Sequence, residues 1–223
     1  MLQRLLLIIF LPVFINTGTS LAQRNANFGV FAGTSYYLGD INPNRHFYRP
    51  SPSFGAIYRV NINTRYAIRA SGYYAGLSGS DLDFPDLNHP DRPVSPAAFN
   101  TSLIDVALQV EYNFLSFTPN MGKWRYTPYL TTGFAGALIL SSDVAASNLI
   151  SFPFGAGIKF NINSRISAGA EWSFRKTFSD HIDGLENPSG TYSVLHNNDW
   201  YSFLGVFITF KFFNFADECP AYK

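Results

Sequence analysis

The stretch FPFGAGIKFNINSRISAGAEWSF, residues 152–174, decides the fold. Apolar residues occupy every second position on both sides of the polar pentapeptide NINSR: Phe154, Ile158 and Phe160 precede it, and Trp172 and Phe174 follow it. Successive side chains of a β-strand point to opposite faces, whereas a helix would scatter these apolar groups around its circumference. The stretch therefore predicts two strands joined by a short polar turn.

The same arrangement occurs a hundred residues earlier, where GAIYRVNINTR at Gly55 matches GAGIKFNINSR at Gly155. Period-two alternation then predicts eight strands, at about 27–39, 53–62, 65–76, 102–114, 127–140, 150–162, 165–178 and 199–213. Most span about 10–14 residues, whereas a soluble strand has about 5–6 and a tilted crossing of a bilayer takes about 9–11. The repeat is compatible with a duplication of four strands or with convergence of similar hairpins.

The two faces of the predicted strands differ in the way that a membrane requires. One face carries Trp, Phe, Tyr, Ile and Val, and the other carries Gly, Ser, Asn and scattered charges. A soluble sandwich would turn polar residues outward, and a lipocalin-like barrel would hold the apolar set inside. With charged residues at only 14% and aromatic residues at 17%, we predict an all-β, eight-stranded antiparallel transmembrane barrel of the outer-membrane type, with a polar, filled lumen.

The N-terminus indicates export. Arg4 precedes an apolar run, and Ser20-Leu21-Ala22 offers small residues for cleavage, so residues 1–22 are predicted to be a secretory signal peptide and residues 23–223 one barrel domain with a short periplasmic tail. Short turns alternate with the long links 77–101 and 179–198, as periplasmic turns alternate with external loops. Both mature termini are then periplasmic, and the link Leu115–Tyr126 is unusually long for that side.

The inward face of the strands carries the charges. We expect these side chains to form a structural network in the lumen, with Arg69 and Arg175 facing Glu111 and Glu171, because an isolated buried charge is costly. An eight-stranded barrel is just wide enough for side chains to fill it, which argues against a wide pore. The inward charged set is Arg59, Arg69, Asp105, Glu111, Lys159, Glu171 and Arg175.

Little in the sequence indicates catalysis. His181 lies between Asp180 and Asp183 in the last long loop, but no spacing specifies a nucleophile and a base, and adjacent residues do not present ligands for one metal ion. We predict no enzyme activity, no catalytic residue, no metal site and no cofactor. The net charge of +1 gives no reason to expect a nucleic-acid partner.

Several short words occur in an order that resembles a known family. Tyr37-Leu38-Gly39-Asp40 ends the first strand, and RYAIRASGYYAGLSGSD, ALQVEYNFL, TPYLTTGFAG and FPFGAGIKF follow. The strongest segment is AEWSFRKTFSDHID, with the spacing E-x-x-x-R-x-T-F-x-D-x-I-D from Glu171 to Asp183. The chain resembles the PorG-like β-barrel proteins of the Bacteroidetes type IX secretion system over most of its mature length.

The resemblance implies a non-enzymatic outer-membrane barrel. Members of that family associate with a periplasmic ring, made of a lipoprotein and a partner protein, that supports export of proteins with a C-terminal sorting domain. Docking is then expected at the periplasmic side, with Lys123, Trp124 and Arg125 of the long link and Cys219 of the tail as candidate contacts. Because Cys219 is the only cysteine, we also hypothesise a mixed disulfide between it and a ring component.

Two other functions are compatible with the same fold. A generic surface barrel or adhesin would act through the external loops 77–101 and 179–198, and an enzyme at the outer rim would depend on His181. Altered turns or an altered tail would impair a secretion barrel. Trimmed outer loops would impair a surface barrel, and His181→Ala alone would impair a rim enzyme.

Overall fold

The computed structural model describes residues 25–38, 42, 45–80, 83, 98–117, 125–140, 148–178 and 200–211. Eight strands in this part of the chain close into one antiparallel barrel in which neighbours along the chain pair and the last strand pairs with the first, so the predicted fold class is confirmed. The strands are β1 Asn25–Leu38, β2 Ser51–Asn61, β3 Tyr66–Ser80, β4 Ala98–Asn113, β5 Tyr126–Ile139, β6 Asn148–Asn161, β7 Ile166–Thr177 and β8 Trp200–Lys211. No helix in the described residues is long and apolar enough to cross a membrane.

The third and fourth strands are longer than the alternation predicts. The ladder between them pairs Leu77 with Thr101 and ends at the pair Ser80 and Ala98, so the external loop predicted at 77–101 is wrong at both ends and shrinks to 81–97. Leu77 is buried, because this part of the strand still faces the lumen. The loop predicted at 179–198, the signal peptide 1–22 and the tail beyond Lys211 lie outside the described residues.

The outer face of the barrel is apolar on every strand. Val106 and Leu108 of β4 are about 60% exposed, and Phe134 of β5 reaches 71%. Their neighbours along each strand, such as Asp105 and Ala107, are buried. Soluble monomers rarely expose continuous apolar surface of this extent, whereas a closed barrel in a bilayer needs an apolar exterior and satisfies all its backbone groups within the sheet.

The lumen has two halves of different chemistry. We call the end with residues 62–65 and 162–165 the turn end, and the opposite end the loop end. The ionised side chains lie mainly towards the turn end, on the parts of β2, β3, β4 and β6 next to the turns. The half near the loop end is filled mainly by apolar and aromatic side chains, which surround the Arg175–Asp105 ion pair. These side chains are Tyr37, Ala75, Leu77, Leu103, Ala137, Ile139, Leu149 and Tyr201.

The two repeated pentapeptides form the same turn. In NINTR the side-chain oxygen of Asn63 accepts hydrogen bonds from the backbone N–H groups of Arg65 (2.8 Å) and Tyr66 (2.7 Å). In NINSR Asn163 accepts the equivalent bonds from Arg165 and Ile166, at the same two distances. The Asn side chain accepts hydrogen bonds from backbone N–H groups two and three residues later, which have no strand partner in the turn. This explains why both hairpins contain the same pentapeptide.

The barrel closes where two glycines face each other. Gly33 of β1 pairs in register with Gly205 of β8. A Cβ atom on Gly33 would lie 2.2 Å from the Leu204 carbonyl oxygen, and one on Gly205 would lie 2.5 Å from the Ala32 oxygen. Such contacts are far inside van der Waals range, so glycine lets β1 and β8 approach at the seam.

The connection after β1 folds against the outside of the barrel. Residues 45–50, which we call the strap, place the Phe47 ring on Trp172, with centroids 5.9 Å apart and planes 24° apart. Phe47 has φ 60° and Arg49 has φ 42°, a left-handed region that is unusual for residues with large side chains. The strap is held at its other side by Asp83, which accepts hydrogen bonds from the Tyr48 hydroxyl (2.6 Å) and from Arg49 (2.8 Å).

Candidate functional site: the charged lumen and the turn end

Glu111 is the centre of the charged network. Its carboxylate is fully buried on β4 and lies 2.8 Å from Nε of Arg59, 2.7 Å from Nζ of Lys159 and 3.3 Å from Nη1 of Arg69. These cations come from β2, β6 and β3, so one carboxylate joins four strands across the lumen. A buried carboxylate with several cationic partners is compensated, and it fixes the spacing of the strands that carry the partners.

Arg69 extends the network to the opposite wall. It forms a bidentate ion pair with Glu171 of β7, four strands away in the closed barrel. Its Nη2 and Nε also donate to Gln109 Oε1, at 2.6 and 3.1 Å. Glu171 accepts a further hydrogen bond from the Tyr129 hydroxyl. Two planar groups held in this fork geometry are among the strongest polar contacts in proteins, and here they span the full width of the lumen.

Arg175 has a different partner from the one expected. It approaches Asp105, with Nε 3.3 Å from Oδ2, and not Glu111 or Glu171. The Tyr201 hydroxyl donates to the same Asp105 oxygen at 2.8 Å. Arg175 lies four residues beyond Glu171 on β7 and is therefore nearer the loop end. At this height the carboxylate that faces it from β4 is Asp105, six residues before Glu111.

Cations exceed carboxylates among the described lumen residues, and aromatic rings accommodate the difference. Four cationic side chains share three carboxylates. Nζ of Lys159 lies 4.4 Å from the centroid of the Tyr129 ring, and the Arg59 guanidinium carbon lies 5.3 Å from that of Phe207. A ring face stabilises a nearby cation through its quadrupole. The lumen is therefore packed with ions and rings that contact one another across its diameter, which is incompatible with a wide channel.

The start of the long link after β4 covers part of the turn end. Leu115 N–H donates to Thr127 Oγ1 at 3.1 Å, and Phe117 N–H donates to the Thr64 carbonyl at 3.0 Å. Phe117 is buried, with its ring centroid 5.5 Å from Nζ of Lys159. We therefore assign residues 115–117 a structural role as a lid, which accounts for part of the unexpected length of this link.

Only one of the predicted partner contacts, Arg125, lies within the described residues. Arg125 is exposed at the turn end, where its carbonyl accepts a hydrogen bond from Asn161 N–H at 2.8 Å. Lys123, Trp124 and Cys219 lie outside the described residues, as does His181. Among the residues that the structure describes, no group of three His, Cys, Asp or Glu side chains is placed to hold a metal ion.

Sequence reasoning missed the neutral members of the network. Tyr129 and Tyr201 carry hydroxyls that bind lumen carboxylates, and Gln109 binds Arg69. Gln109 lies on the inward face of a clearly alternating strand, so its position was available. Tyr129 lies on β5, where Gly and Thr obscure the alternation, and an inward Tyr there can be recognised only once the register with β4 and β6 is known.

A closed eight-stranded barrel with an apolar exterior and an ionised, packed interior is a transmembrane barrel of the outer-membrane type. The chain belongs to the family described as "Domain of unknown function (DUF6089)", whose model matches residues 3–221. A search of curated proteins found no match to the chain.

Solved structures of bacterial outer-membrane barrels are similar to the chain at low identity. The N-terminal β-barrel domain of Pseudomonas aeruginosa OprF is 17% identical, with 84% of this chain and 100% of that chain covered and a TM-score of 0.45. Ail, the attachment invasion locus protein of Yersinia pestis, is 13% identical, with 85% and 99% covered and a TM-score of 0.45. Neisserial surface protein A is 11% identical, with 85% and 97% covered and a TM-score of 0.48.

Proposed function

We propose that the protein is a non-enzymatic outer-membrane anchor that binds periplasmic proteins of the type IX secretion machinery. The resemblance of the segment from Glu171 to Asp183 to PorG-like proteins motivates the secretion role. The observation that carries an anchoring role is the packed lumen, in which Arg69 and Glu171 join opposite walls. A barrel filled in this way offers surfaces and no conduit, so its contribution to secretion is attachment.

The proposed attachment surface is the turn end. The first Asn turn and the lid of residues 115–117 form a hydrogen-bonded face there, because the Thr64 carbonyl accepts a hydrogen bond from Phe117 N–H. Such a face is pre-organised, and little conformational entropy is lost when a partner binds it. The candidate contacts Lys123, Trp124, Arg125 and Cys219 belong to the link and tail that follow strands ending at this side. In this proposal the turn end faces the periplasm, and both mature termini lie on the same side of the membrane.

Site-specific photo-crosslinking in native membranes tests this function. A crosslinking amino acid at Thr64, exposed at the turn end, is matched by one at Arg49, exposed at the loop end. We expect Thr64 to capture the lipoprotein of the ring or its partner, and Arg49 to capture neither. Capture of proteins only from Arg49 would overturn the proposal in favour of a surface barrel that acts through its external loops.

The mixed disulfide is a separate part of the proposal. If Cys219 joins a ring component, the wild-type protein runs as a larger species on non-reducing gels, and Cys219→Ser abolishes that species without loss of barrel assembly. A wild-type band that is identical with and without reductant would refute the disulfide and leave the anchoring role to the crosslinking test.

A further inference from the structure

A groove of about 600 Å³ crosses the outer wall of the barrel over β4, β5, β6 and β7. Its floor follows a row of register partners, in which Leu130 pairs with Tyr112 on one side and with Ala156 on the other. Ala156 in turn pairs with Trp172. The small Ala156 side chain between large neighbours produces the depression, and its walls are Tyr112, Phe154, Trp172 and Phe174.

The strap lies beside the groove on one side, and a cation lies beside it on the other. At the β7 end the strap covers the wall, with Phe47 stacked on Trp172 and Nε1 of Trp172 donating to the Tyr36 hydroxyl at 3.0 Å. At the β4 end Tyr112 lies beside Arg65, whose Nη1 is 3.5 Å from the Tyr112 hydroxyl and 3.2 Å from the Phe114 carbonyl oxygen. An apolar ligand in the groove therefore has an exposed guanidinium next to the Tyr112 wall.

The charge distribution at the turn end complements an anion. Arg65, Arg125 and Arg165 are all exposed there. The described carboxylates lie elsewhere: Asp105, Glu111 and Glu171 are in the lumen, and Asp83 is near the strap. Both contacts of Arg65 use Nη1, so among the described residues Nε and Nη2 remain available for a phosphate, which arginine binds in a bidentate manner.

We propose that the groove binds one acyl chain of an acidic phospholipid, with the phosphate at Arg65. The groove lies on the face that contacts hydrocarbon, and its side chains are nearly all apolar, so a polar ligand would lose hydrogen bonds with water and gain none. Its volume lies in the range of roughly 300–1,000 Å³ typical of ligand pockets. The site belongs to the membrane leaflet at the turn end, and it does not depend on the secretion role.

The repeated turns provide a matched control for the cation. Arg65 and Arg165 occupy the same position in NINTR and NINSR, with the same Asn hydrogen bonds. Only Arg65 contacts Tyr112, a residue of the groove. For the groove itself, Ala156→Phe fills the depression, and Ala70→Phe adds the same ring to an outward alanine on β3 that does not line it.

The test is native mass spectrometry of the full-length protein, released from nanodiscs containing equal amounts of phosphatidylglycerol and phosphatidylcholine with identical chains. We expect the wild type and Arg165→Gln to retain phosphatidylglycerol preferentially. Arg65→Gln should lose roughly tenfold in that preference, the effect of one charge-assisted contact, and Ala156→Phe should lose bound lipid of both kinds. Ala70→Phe should retain lipid as the wild type does.

Three results would overturn the proposal. Equal retention of the two lipids by the wild type would remove the role of the phosphate. Equal effects of Arg65→Gln and Arg165→Gln would mean that turn-end charge acts without a site. A dimer mass in the wild type that Ala156→Phe converts to monomer would make the groove an interface between two copies. Migration of each variant as a folded band on unheated gels checks that the barrel has assembled.

Discussion

Replacing Glu111 by Gln should be among the most destabilising single changes in the lumen. The change keeps the size and shape of the side chain and removes its charge. Arg69 keeps Glu171 as a partner, but Arg59 and Lys159 are left without a carboxylate among the described residues. The cost therefore comes from two buried cations that lose their compensation, and not from a cavity.

The magnitude follows from these contacts. Removing one partner of a buried ion pair costs about 3–5 kcal/mol, and we expect the upper half of that range because two cations are affected. The total stability of a domain is about 5–15 kcal/mol. With a urea slope of about 2 kcal/mol per molar, a loss of about 4 kcal/mol moves the unfolding midpoint down by about 2 M.

The assay is reversible urea unfolding in detergent micelles, followed by tryptophan fluorescence and by the shift of the folded band on unheated gels. Thr131→Val is the matched control. Thr131 is the register partner of Glu111 on β5 and is buried, and its hydroxyl has no hydrogen-bond partner within the described residues. It should change stability by less than about 1 kcal/mol. If Glu111→Gln does the same, the carboxylate does not hold the four strands together and the structural account of the network is refuted.

Further perturbations probe the seam, the turns and the strap. Gly205→Val should prevent closure of β1 on β8, because its Cβ would lie 2.5 Å from a backbone oxygen, and the folded band on unheated gels should disappear; a normal band would contradict the close approach. Asn63→Ala and Asn163→Ala should each cost about 1 kcal/mol of unfolding free energy and should add in the double variant, since the turns are separate; unequal costs would show that the turns differ. The hydrogen bond from Tyr48 lowers the pKa of the Asp83 carboxyl in the folded protein. The contact between Tyr48 and Asp83 therefore stabilises the strap at pH values above the unfolded pKa of Asp83. That stabilisation is lost as the pH falls through the lowered, folded-state pKa. NMR of the Tyr48 ring should report this release in acid, and a ring signal that does not move as Asp83 protonates would rule out the contact.

The alternation in the sequence predicts which way most side chains point, but not which ones meet. Facing depends on period two alone, so Arg59 and Glu111 could be placed in the lumen from their strands. Contacts across a barrel also depend on strand tilt and stagger, which set the height of each residue and cannot be read from one strand. Facing alone therefore predicts Glu111 or Glu171 as the partner of Arg175, whereas the closed register brings it to Asp105.

Segments outside the ladder were the least predictable. The strap has no alternation, and its position depends on aromatic contacts between Phe47 and a strand more than a hundred residues away. The lid was hidden for a similar reason. The sequence shows Leu115–Tyr126 only as a link that is long for its side, and the bond from Phe117 to Thr64 shows that its first residues fold over the lumen. In both cases the deciding contact is distant in sequence and follows closure of the barrel.

The two ends of the barrel differ in a way that bears on how it can work. Near the loop end the lumen is filled mainly by apolar groups such as Leu103 and Ile139, with one ion pair, Arg175–Asp105, among them. Near the turn end it is filled by the larger network of ions centred on Glu111. Apolar packing needs only burial, whereas the ionic network needs its partners at fixed distances. The positions of the strands are therefore fixed more narrowly at the turn end than at the loop end. The two turns are held by identical Asn hydrogen bonds, and the lid is bonded to one of them. The fixed geometry of the lumen therefore continues to the surface at this end. A partner that docks at the turn end would therefore meet a face whose geometry is set by the interior of the barrel.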